Sequence, residues 1–489
     1  MKKTKLFMSV LLIILSQFAM AGPYEDLIEA CKKGNLDAVK AAVEAGANIN
    51  QLDAAGNAPI ASSVFWPEIV TYLLEKGADP SLGNSTALYG AVVYYSVDVV
   101  KILLQNGANV NKGTEAPAYD PAAVLRSMVD AEKAKGKKAN KIIIKAYEDE
   151  IAKLPPPTAA TVVTPLSYAA GNSNCVECVK LLLEAGAKTD MKDAENGNLI
   201  YTVASSAAEP EVRINGFKGT HATLEGMGFV LPDWFKNLDE SRVGRAEDIL
   251  KLLLAKGLDV NDANTTYGYT ALGRALYYKK ISIAKILLEN GADPKIAIDY
   301  HSGEQKLATI YPICQAAEVG DLELMKMIVE KGADINTRAK GMSLMNIQNL
   351  TGGENYTPLN LALANRKGDV ALYLIEQGAD INIGVEGTTF VRPRGLPAGA
   401  DLYCQVIVTN KTPIYWAAEA GLMDVVVKLA EKMLWKFNPD FTVRSMGGQV
   451  TWAFAVYECK FDKTKYIPSD WAGMNDQKEI EIFLMGKGM

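Results

Sequence analysis

The stretch TPLSYAAGNSNCVECVKLLLEAGA, residues Thr164–Ala187, contains in one unit the pattern that most of the chain repeats. Pro165 suits the first turn of a helix, where its missing N–H would have had no partner. The small residues Ala169 and Ala170 allow two helices to approach closely, and the leucines of the second half supply an apolar stripe. Gly186 tolerates the left-handed backbone that ends a helix. This unit predicts a helical hairpin that must stack on copies of itself to bury its apolar face.

Copies of both ends of this unit recur along the chain. The closing glycine recurs at Gly46, Gly77, Gly107, Gly257, Gly291, Gly332 and Gly378. The opening recurs as Thr86-Ala87-Leu88, Thr270-Ala271-Leu272, Thr357-Pro358-Leu359 and Thr412-Pro413-Ile414, with weaker forms at Ala58-Pro59-Ile60 and Tyr311-Pro312-Ile313. This resembles the ankyrin repeat, which opens with T-P-L-H-x-A and has a period of about 33 residues. The resemblance implies an all-α fold: an ankyrin-type α-solenoid of about ten helix-turn-helix repeats, with helical and β-hairpin insertions.

The chain departs from the ankyrin pattern at the histidine that follows Thr-Pro-Leu. The equivalent positions hold Tyr89, Ser167, Gly273, Cys314, Asn360 and Tyr415. The hydrogen bond of that histidine must therefore be supplied differently, and individual repeats are expected to be less stable than consensus repeats.

Breaks in the repeat period predict the domain organisation. Over a hundred residues exceed what about ten repeats of about 33 residues would use, and insertions in such proteins tend to emerge on one face, often the binding face. The predicted segments are a signal peptide at 1–21, repeats one to three with an N-terminal cap at 22–111, a helical insertion at 112–163, repeat four and the first helix of repeat five at 164–204, an insertion at 205–245, repeats five to eight at 246–383 with a polar loop at 337–355, a β-hairpin at 384–410, and degenerate repeats with a cap at 411–489.

The first 21 residues predict export. Lys2, Lys3 and Lys5 precede an apolar run that is too short to span a bilayer comfortably, and Ala19-Met20-Ala21 has the form of a cleavage site. We therefore expect cleavage after Ala21, no membrane insertion afterwards, and a periplasmic or secreted location. The net charge of −6 becomes more negative once those lysines are removed, which disfavours nucleic-acid binding.

Six cysteines allow several disulfide pairings in an oxidising compartment, and the sequence does not choose among them. Cys31 and Cys314 occupy inward-facing repeat positions, which favours buried free thiols. Cys175 and Cys178 are spaced for a local disulfide, and their C-x-x-C pattern also resembles a redox motif. Because no strand–helix–strand pattern surrounds them, a structural disulfide or simple packing is the stronger interpretation. Cys404 and Cys459 remain unassigned.

No catalytic, metal or cofactor motif stands out. The chain has two histidines, and no H-E-x-x-H, G-x-S-x-G or phosphate-loop pattern. One enzymatic or ligand-sensing alternative remains on the insertion at 205–245, where His221, Glu225 and Asp233 could converge. We therefore expect that the protein is not an enzyme and has no cofactor. The enzymatic alternative predicts that the side chains of His221, Glu225 and Asp233 meet in a pocket.

The ankyrin resemblance implies a concave groove lined by the residues after each pair of small positions. We call these groove positions, taken along the chain, the column. Five of its residues are aromatic although small or polar residues would be equally compatible with the fold: Phe65, Trp66, Tyr94, Tyr277 and Tyr278. Tyrosine and tryptophan dominate interface hot spots, although these rings could instead pack beneath the insertions. The predicted function is a non-catalytic scaffold that binds a partner protein through its concave groove and insertions. A structural envelope protein is a further alternative.

Overall fold

The computed structural model describes most of the chain, and its elements follow the repeat pattern. The described residues are 22–84, 86–116, 122–135, 140–151, 161–173, 175–193, 195–240, 242–263, 265, 268–302, 305–340, 351–391, 404–433, 442–445, 449–452, 455–458, 472, 477–487 and 489. The predicted signal peptide and cleavage site lie outside these residues, as do Cys459 and the side chain of Cys404. Two compact units result: residues 1–120, 157–194 and 198–258 in the first, and 121–156, 195–197 and 259–489 in the second.

The first unit consists of paired helices with short strands and an insertion. Its helices are Pro23–Lys33, Leu36–Glu44, Pro67–Glu75, Ala87–Val93, Val97–Gln105, Pro165–Tyr168, Val176–Glu184, Leu199–Ser206, Pro210–Lys218, His221–Gly226, Asp233–Lys236 and Ala246–Leu254, with a 3₁₀ turn at Pro59–Ser63 and a π-helical turn at Ala169–Ser173. Strands β1 (Thr114–Ala116) and β2 (Thr161–Val163) pair antiparallel. Apolar residues of the paired helices form the core, with Leu27, Leu103 and Leu182 fully buried.

At the start of several repeats, a threonine side chain caps the first helix. These caps supply a hydrogen bond at the helix start in the absence of the ankyrin histidine. The Thr164 hydroxyl accepts a hydrogen bond from the Ser167 N–H at 3.2 Å, and the Ser167 hydroxyl accepts one from the Thr164 N–H at 2.9 Å. Thr86, Thr270 and Thr357 accept the equivalent backbone hydrogen bond. Such a cap is worth about 1 kcal/mol. The opening threonine therefore caps these four helix starts without the histidine, whereas Thr412 makes no side-chain cap.

Asparagines after the closing glycines join consecutive repeats. The Asn50 amide donates to the Gly77 carbonyl at 3.0 Å, and its oxygen accepts from the Asp79 N–H at 2.9 Å. Asn111 accepts from the Lys188 N–H at 2.8 Å, although these residues are 77 positions apart. Repeats three and four are therefore in direct contact, although the predicted insertion at 112–163 separates them in sequence.

The second unit combines helical repeats with a seven-stranded antiparallel sheet. Its helices are Ala123–Lys133, Lys141–Ile151, Ala271–Tyr277, Ile281–Glu289, Pro312–Val319, Leu322–Glu330, Pro358–Ala364, Gly368–Glu376, Pro413–Ala420, Met423–Met433 and Lys478–Gly486. The strands β3 (Ile298–Ser302), β4 (Gln305–Ile310), β5 (Ala339–Lys340), β6 (Thr351–Tyr356), β7 (Val385–Val391), β8 (Cys404–Lys411) and β9 (Thr442–Ser445) pair in chain order. A separate hairpin joins β10 (Gln449–Trp452) to β11 (Ala455–Glu458).

The sheet arises because the segments between successive repeats extend as hairpins that pair with one another. Val385 pairs with Lys411 and Val391 with Cys404, so the segment predicted as a hairpin at 384–410 contributes the antiparallel strands β7 and β8. The prediction of a polar loop at 337–355 is wrong, because this segment contributes β5 and most of β6. Pairing between hairpins satisfies backbone groups that an isolated hairpin would expose at its edges. The helical class is confirmed, and this sheet is an addition to it.

The helical insertion at 112–163 contains two helices, Ala123–Lys133 and Lys141–Ile151. Two of the lysines near the ends of these helices form ion pairs within the insertion. Lys133 pairs with Glu148 at 2.8 Å, and Lys135 pairs with Glu132 at 2.5 Å.

Candidate partner-binding surface

The insertion at 205–245 packs against the repeats of the first unit and covers part of their surface. Its three helices carry Phe217, Trp234 and Phe235 to the repeats, and the connection between the second and third helices carries Phe229. The Val230 N–H donates to the Lys32 carbonyl at 3.0 Å, and the Lys32 ammonium donates to the Met227 carbonyl at 3.2 Å. The insertion is therefore an ordered cover over the repeats rather than an irregular loop.

Phe65 lies at the centre of the aromatic cluster that this cover creates. Its ring centroid is 4.9 Å from that of Phe235, 5.0 Å from Tyr94 and 5.9 Å from Phe229. The Phe65 side chain is fully buried. The prediction that Phe65 contacts a partner is therefore wrong, because the insertion already occupies the space in front of this ring.

Trp66 and Tyr94 remain half-buried at the edge of the same cluster. The Trp66 ring lies against Gly34, where an added Cβ would be 2.3 Å from the nearest ring atom. Gly34 also has a φ of +70°, so both its conformation and its contact require glycine. Tyr94 packs 5.9 Å from Phe235, and burial raises the pKa of its hydroxyl. Both residues support the cover, and a partner contact by either stays a prediction.

Tyr277 and Tyr278 are the exposed members of the predicted column. They lie in the second unit, at the end of the helix Ala271–Tyr277, and their side chains are 46% and 42% exposed. Their rings meet edge to face at 5.1 Å. Adjacent exposed rings of this kind supply the residue type that is enriched in interface hot spots.

Arg274 holds these two tyrosines in place. Its guanidinium lies 4.9 Å from the Tyr278 ring centroid and 5.8 Å from that of Tyr277. Glu195 pairs with the same guanidinium at 2.8 Å, and the ring of Tyr269 lies 5.3 Å away. Cation–π contacts of this kind contribute roughly 0.5–2 kcal/mol each. The result is a pre-organised patch of Tyr277, Tyr278 and Arg274, called the tyrosine patch below.

Glu318 occupies the same column one repeat later. Burial raises the pKa of its carboxyl to about 8, an effect that Lys279 partly offsets. One carboxyl oxygen has no hydrogen-bond partner among the described residues. Burial therefore favours the neutral form of this carboxyl.

The three residues of the enzymatic alternative do not form a catalytic group. His221 packs against the Phe235 ring at 5.2 Å, Glu225 pairs with Lys236 at 3.7 Å, and Asp233 is exposed. No hydrogen bond joins any two of the three side chains, all of which the structure describes. Within the described ranges, no cluster of three His, Cys, Asp or Glu side chains could hold a metal ion.

The structure joins Cys175 and Cys178 in a disulfide at the start of the helix Val176–Glu184. Both sulfurs are buried. Cys31 and Cys314 are buried free thiols, as predicted, and burial raises the pKa of Cys31 to about 12. These thiols are therefore poor nucleophiles, and the disulfide is a structural link.

Sequence reasoning missed the residues that organise these surfaces. It placed an insertion at 205–245 but did not connect the aromatic residues of this insertion to Phe65, and it did not identify Arg274. The available signal was the combination of an aromatic column in the repeats with a second aromatic group in an insertion.

Comparison with known proteins identifies the repeats. Family models described as ankyrin repeats match residues 27–114 and 243–298, residues 163–194, and residues 354–383. Together with the capped helical hairpins, these matches show that the chain contains ankyrin repeats. Within the described residues, no helix has the length and apolar character needed to cross a membrane.

Several named proteins are similar in sequence to parts of this chain. Alpha-latrocrustotoxin-Lt1a of Latrodectus tredecimguttatus is 33% identical over 129 residues, 26% of this chain and 8% of the toxin. The ankyrin repeat and KH domain-containing protein mask-1 of Caenorhabditis elegans is 28% identical over 320 residues, 63% of this chain and 11% of that protein. Human protein phosphatase 1 regulatory subunit 27 is 47% identical over 60 residues, 12% of this chain and 39% of that protein. The chain thus spans well under half the length of each, and the shared feature is the ankyrin repeat, which marks a protein–protein interaction scaffold.

Proposed function

We propose that this chain binds a partner protein through the tyrosine patch. For Trp66 and Tyr94, which lie in the first unit, a partner contact stays a prediction of the sequence. The observation that carries the proposal is the exposure of Tyr277 and Tyr278 on a first helix, where Arg274 fixes both rings. Rigid aromatic side chains beside an arginine are the composition typical of interface hot spots. Because Arg274 limits ring motion before binding, less conformational entropy is lost on association.

Replacing both tyrosines of the patch should remove partner binding. Tyr277→Ala with Tyr278→Ala is expected to weaken capture of the partner by about 30-fold or more, since a hot-spot truncation costs at least about 2 kcal/mol. The measurement is affinity capture from exported proteins on immobilised full chain, followed by titration of the captured polypeptide.

Tyr373→Ala is the matched control, because Tyr373 is a tyrosine of the same unit that lies on a second helix, Gly368–Glu376. It should retain the partner at the level of the unchanged protein. Equal retention by the double variant would remove the tyrosine patch from the proposal.

We infer that the chain works in the periplasm or outside the cell. The lysine-rich start, the short apolar run and Ala19-Met20-Ala21 support export. The Cys175–Cys178 disulfide supports an oxidising compartment. Mass spectrometry of the protein recovered from the periplasmic fraction should give a chain that begins at Gly22, whereas an uncleaved chain in the cytoplasm would contradict export.

A further inference from the structure

A cavity lies between the insertion and the repeats of the first unit. It has a volume of about 520 Å³. Tyr94 and Tyr168 line it from the repeats, and Phe217, Leu224 and Met227 line it from the insertion. Ligand pockets typically have volumes of roughly 300–1,000 Å³ with apolar walls and a few placed polar groups. The cavity therefore has the size and character of a small-molecule site.

Arg213 is the one charged residue among the described residues that line this cavity. Its Nη2 donates to the carbonyls of Gly171 at 2.9 Å and Ser206 at 2.5 Å. Both acceptors are neutral, and the buried Nε has no acceptor in the part of the chain that the structure describes. The cavity thus presents a half-buried cation that no described carboxylate neutralises.

The surroundings of Arg213 make this positive charge unfavourable without a ligand. Burial lowers the pKa of its guanidinium, and the hydroxyls of Tyr95 and Tyr168 offset this only in part. A buried charge is stabilised when an opposite charge and a hydrogen bond meet it together. Carboxylates suit arginine best, because the planar guanidinium matches their geometry.

We propose that this cavity binds a small apolar carboxylate, a molecule with a hydrocarbon body and one carboxylate group. The carboxylate meets Arg213, and the hydrocarbon lies against Tyr168, Phe217 and Leu224. This activity goes beyond the binding of a partner protein: the tyrosine patch lies in the other unit, and Tyr94 is the one residue of the cavity that is also named above as a partner contact.

The test compares decanoate with decanol on the full chain by isothermal titration calorimetry. The two probes share a hydrocarbon body and differ in charge. Decanoate should bind saturably at one site per chain, and decanol should bind at least about tenfold more weakly. A purely structural role of Arg213 would not produce this preference, because decanol fills the same apolar space.

Substitution then assigns the preference to Arg213. Arg213→Met should reduce decanoate affinity to the level of decanol, whereas Arg213→Lys, which keeps the charge, should retain most of the preference. Arg242→Met is the matched control, because Arg242 belongs to the same insertion but stacks on Trp234 at 4.6 Å outside the cavity. It should leave decanoate binding unchanged.

Three results would overturn the proposal. They are equal binding of decanoate and decanol by the unchanged protein, no saturable decanoate binding at about 1 mM, or an unaltered preference in Arg213→Met. If Arg213→Met fails to fold, the comparison of the two probes on the unchanged protein and on Arg213→Lys decides the question.

Discussion

Phe65→Ala is expected to lower the free energy of unfolding by about 3–5 kcal/mol, the usual cost of removing a buried phenylalanine. The Phe65 ring is fully buried, and the rings of Tyr94, Phe229 and Phe235 lie within 5.9 Å of its centroid. Its loss leaves a cavity beneath the insertion and removes several aromatic contacts, each worth about 0.5–1.5 kcal/mol beyond burial. Unfolding in urea, followed by circular dichroism, measures the change.

The same variant should loosen the insertion, because Phe65 is the repeat residue on which Phe235 rests. Limited proteolysis should then cut the segment 207–245 faster than in the unchanged protein. Ile482→Ala is the control: with a side chain 68% exposed, it should change stability by no more than about 0.5 kcal/mol. A Phe65→Ala effect as small as that of the control would mean that the insertion does not cover Phe65 and would restore the partner contact that the sequence suggests.

Glu419→Gln is expected to destabilise the second unit by about 3–5 kcal/mol, because it removes the carboxylate partner of a fully buried lysine. Lys411 has no exposed surface and forms an ion pair with Glu419. Its ammonium lies 3.5 Å from the Trp416 ring centroid, and the Trp416 indole N–H donates to the Lys411 carbonyl at 3.2 Å. The variant leaves the ammonium charge in this apolar site without its carboxylate.

A double variant separates the charge effect from packing. Glu419→Gln combined with Lys411→Met should recover most of the lost stability, because both charges are then absent and the apolar stem is kept. The measurement is the free energy of urea unfolding for both single variants and the double variant. Additive losses would show that the pair makes no coupled contribution.

The pH dependence of Glu419→Gln has a defined sign. Burial lowers the pKa of Lys411 below its ordinary value, so the folded chain releases that proton before the unfolded chain does. Stability from this group therefore rises as pH increases toward the ordinary lysine value near 10.5. The destabilisation by Glu419→Gln should shrink at alkaline pH, where the buried amine becomes neutral.

The repeats were predictable because their signals are local. Thr164 with Pro165 marks a helix start, Gly186 marks a helix end, and Asn50 and Asn111 mark joints between repeats. Each signal acts within a few residues or on the next repeat. The predicted first and second helices of repeat five appear at Leu199–Ser206 and Ala246–Leu254 despite the insertion between them.

The sheet and the aromatic cluster were not predictable in full because their partners are distant in sequence. The pairing of β4 with β5 depends on two hairpins from different repeats meeting, which no single strand signals. Phe65 and Phe235 are 170 positions apart, so the sequence alone left open whether the ring faces a partner or an insertion. From the sequence, Lys411 would be expected at the surface. In the structure it is buried beside Trp416 and Glu419.

Oxidative footprinting by hydroxyl radicals, read by mass spectrometry, tests the central claim most directly. In the free protein, Tyr277 and Tyr278 should be modified readily, whereas Phe65 should remain unmodified. With the captured partner bound, modification of the two tyrosines should fall and Phe65 should stay protected. Tyrosines that remain equally reactive in the complex, or a Phe65 that is modified in the free protein and protected by the partner, would contradict the account.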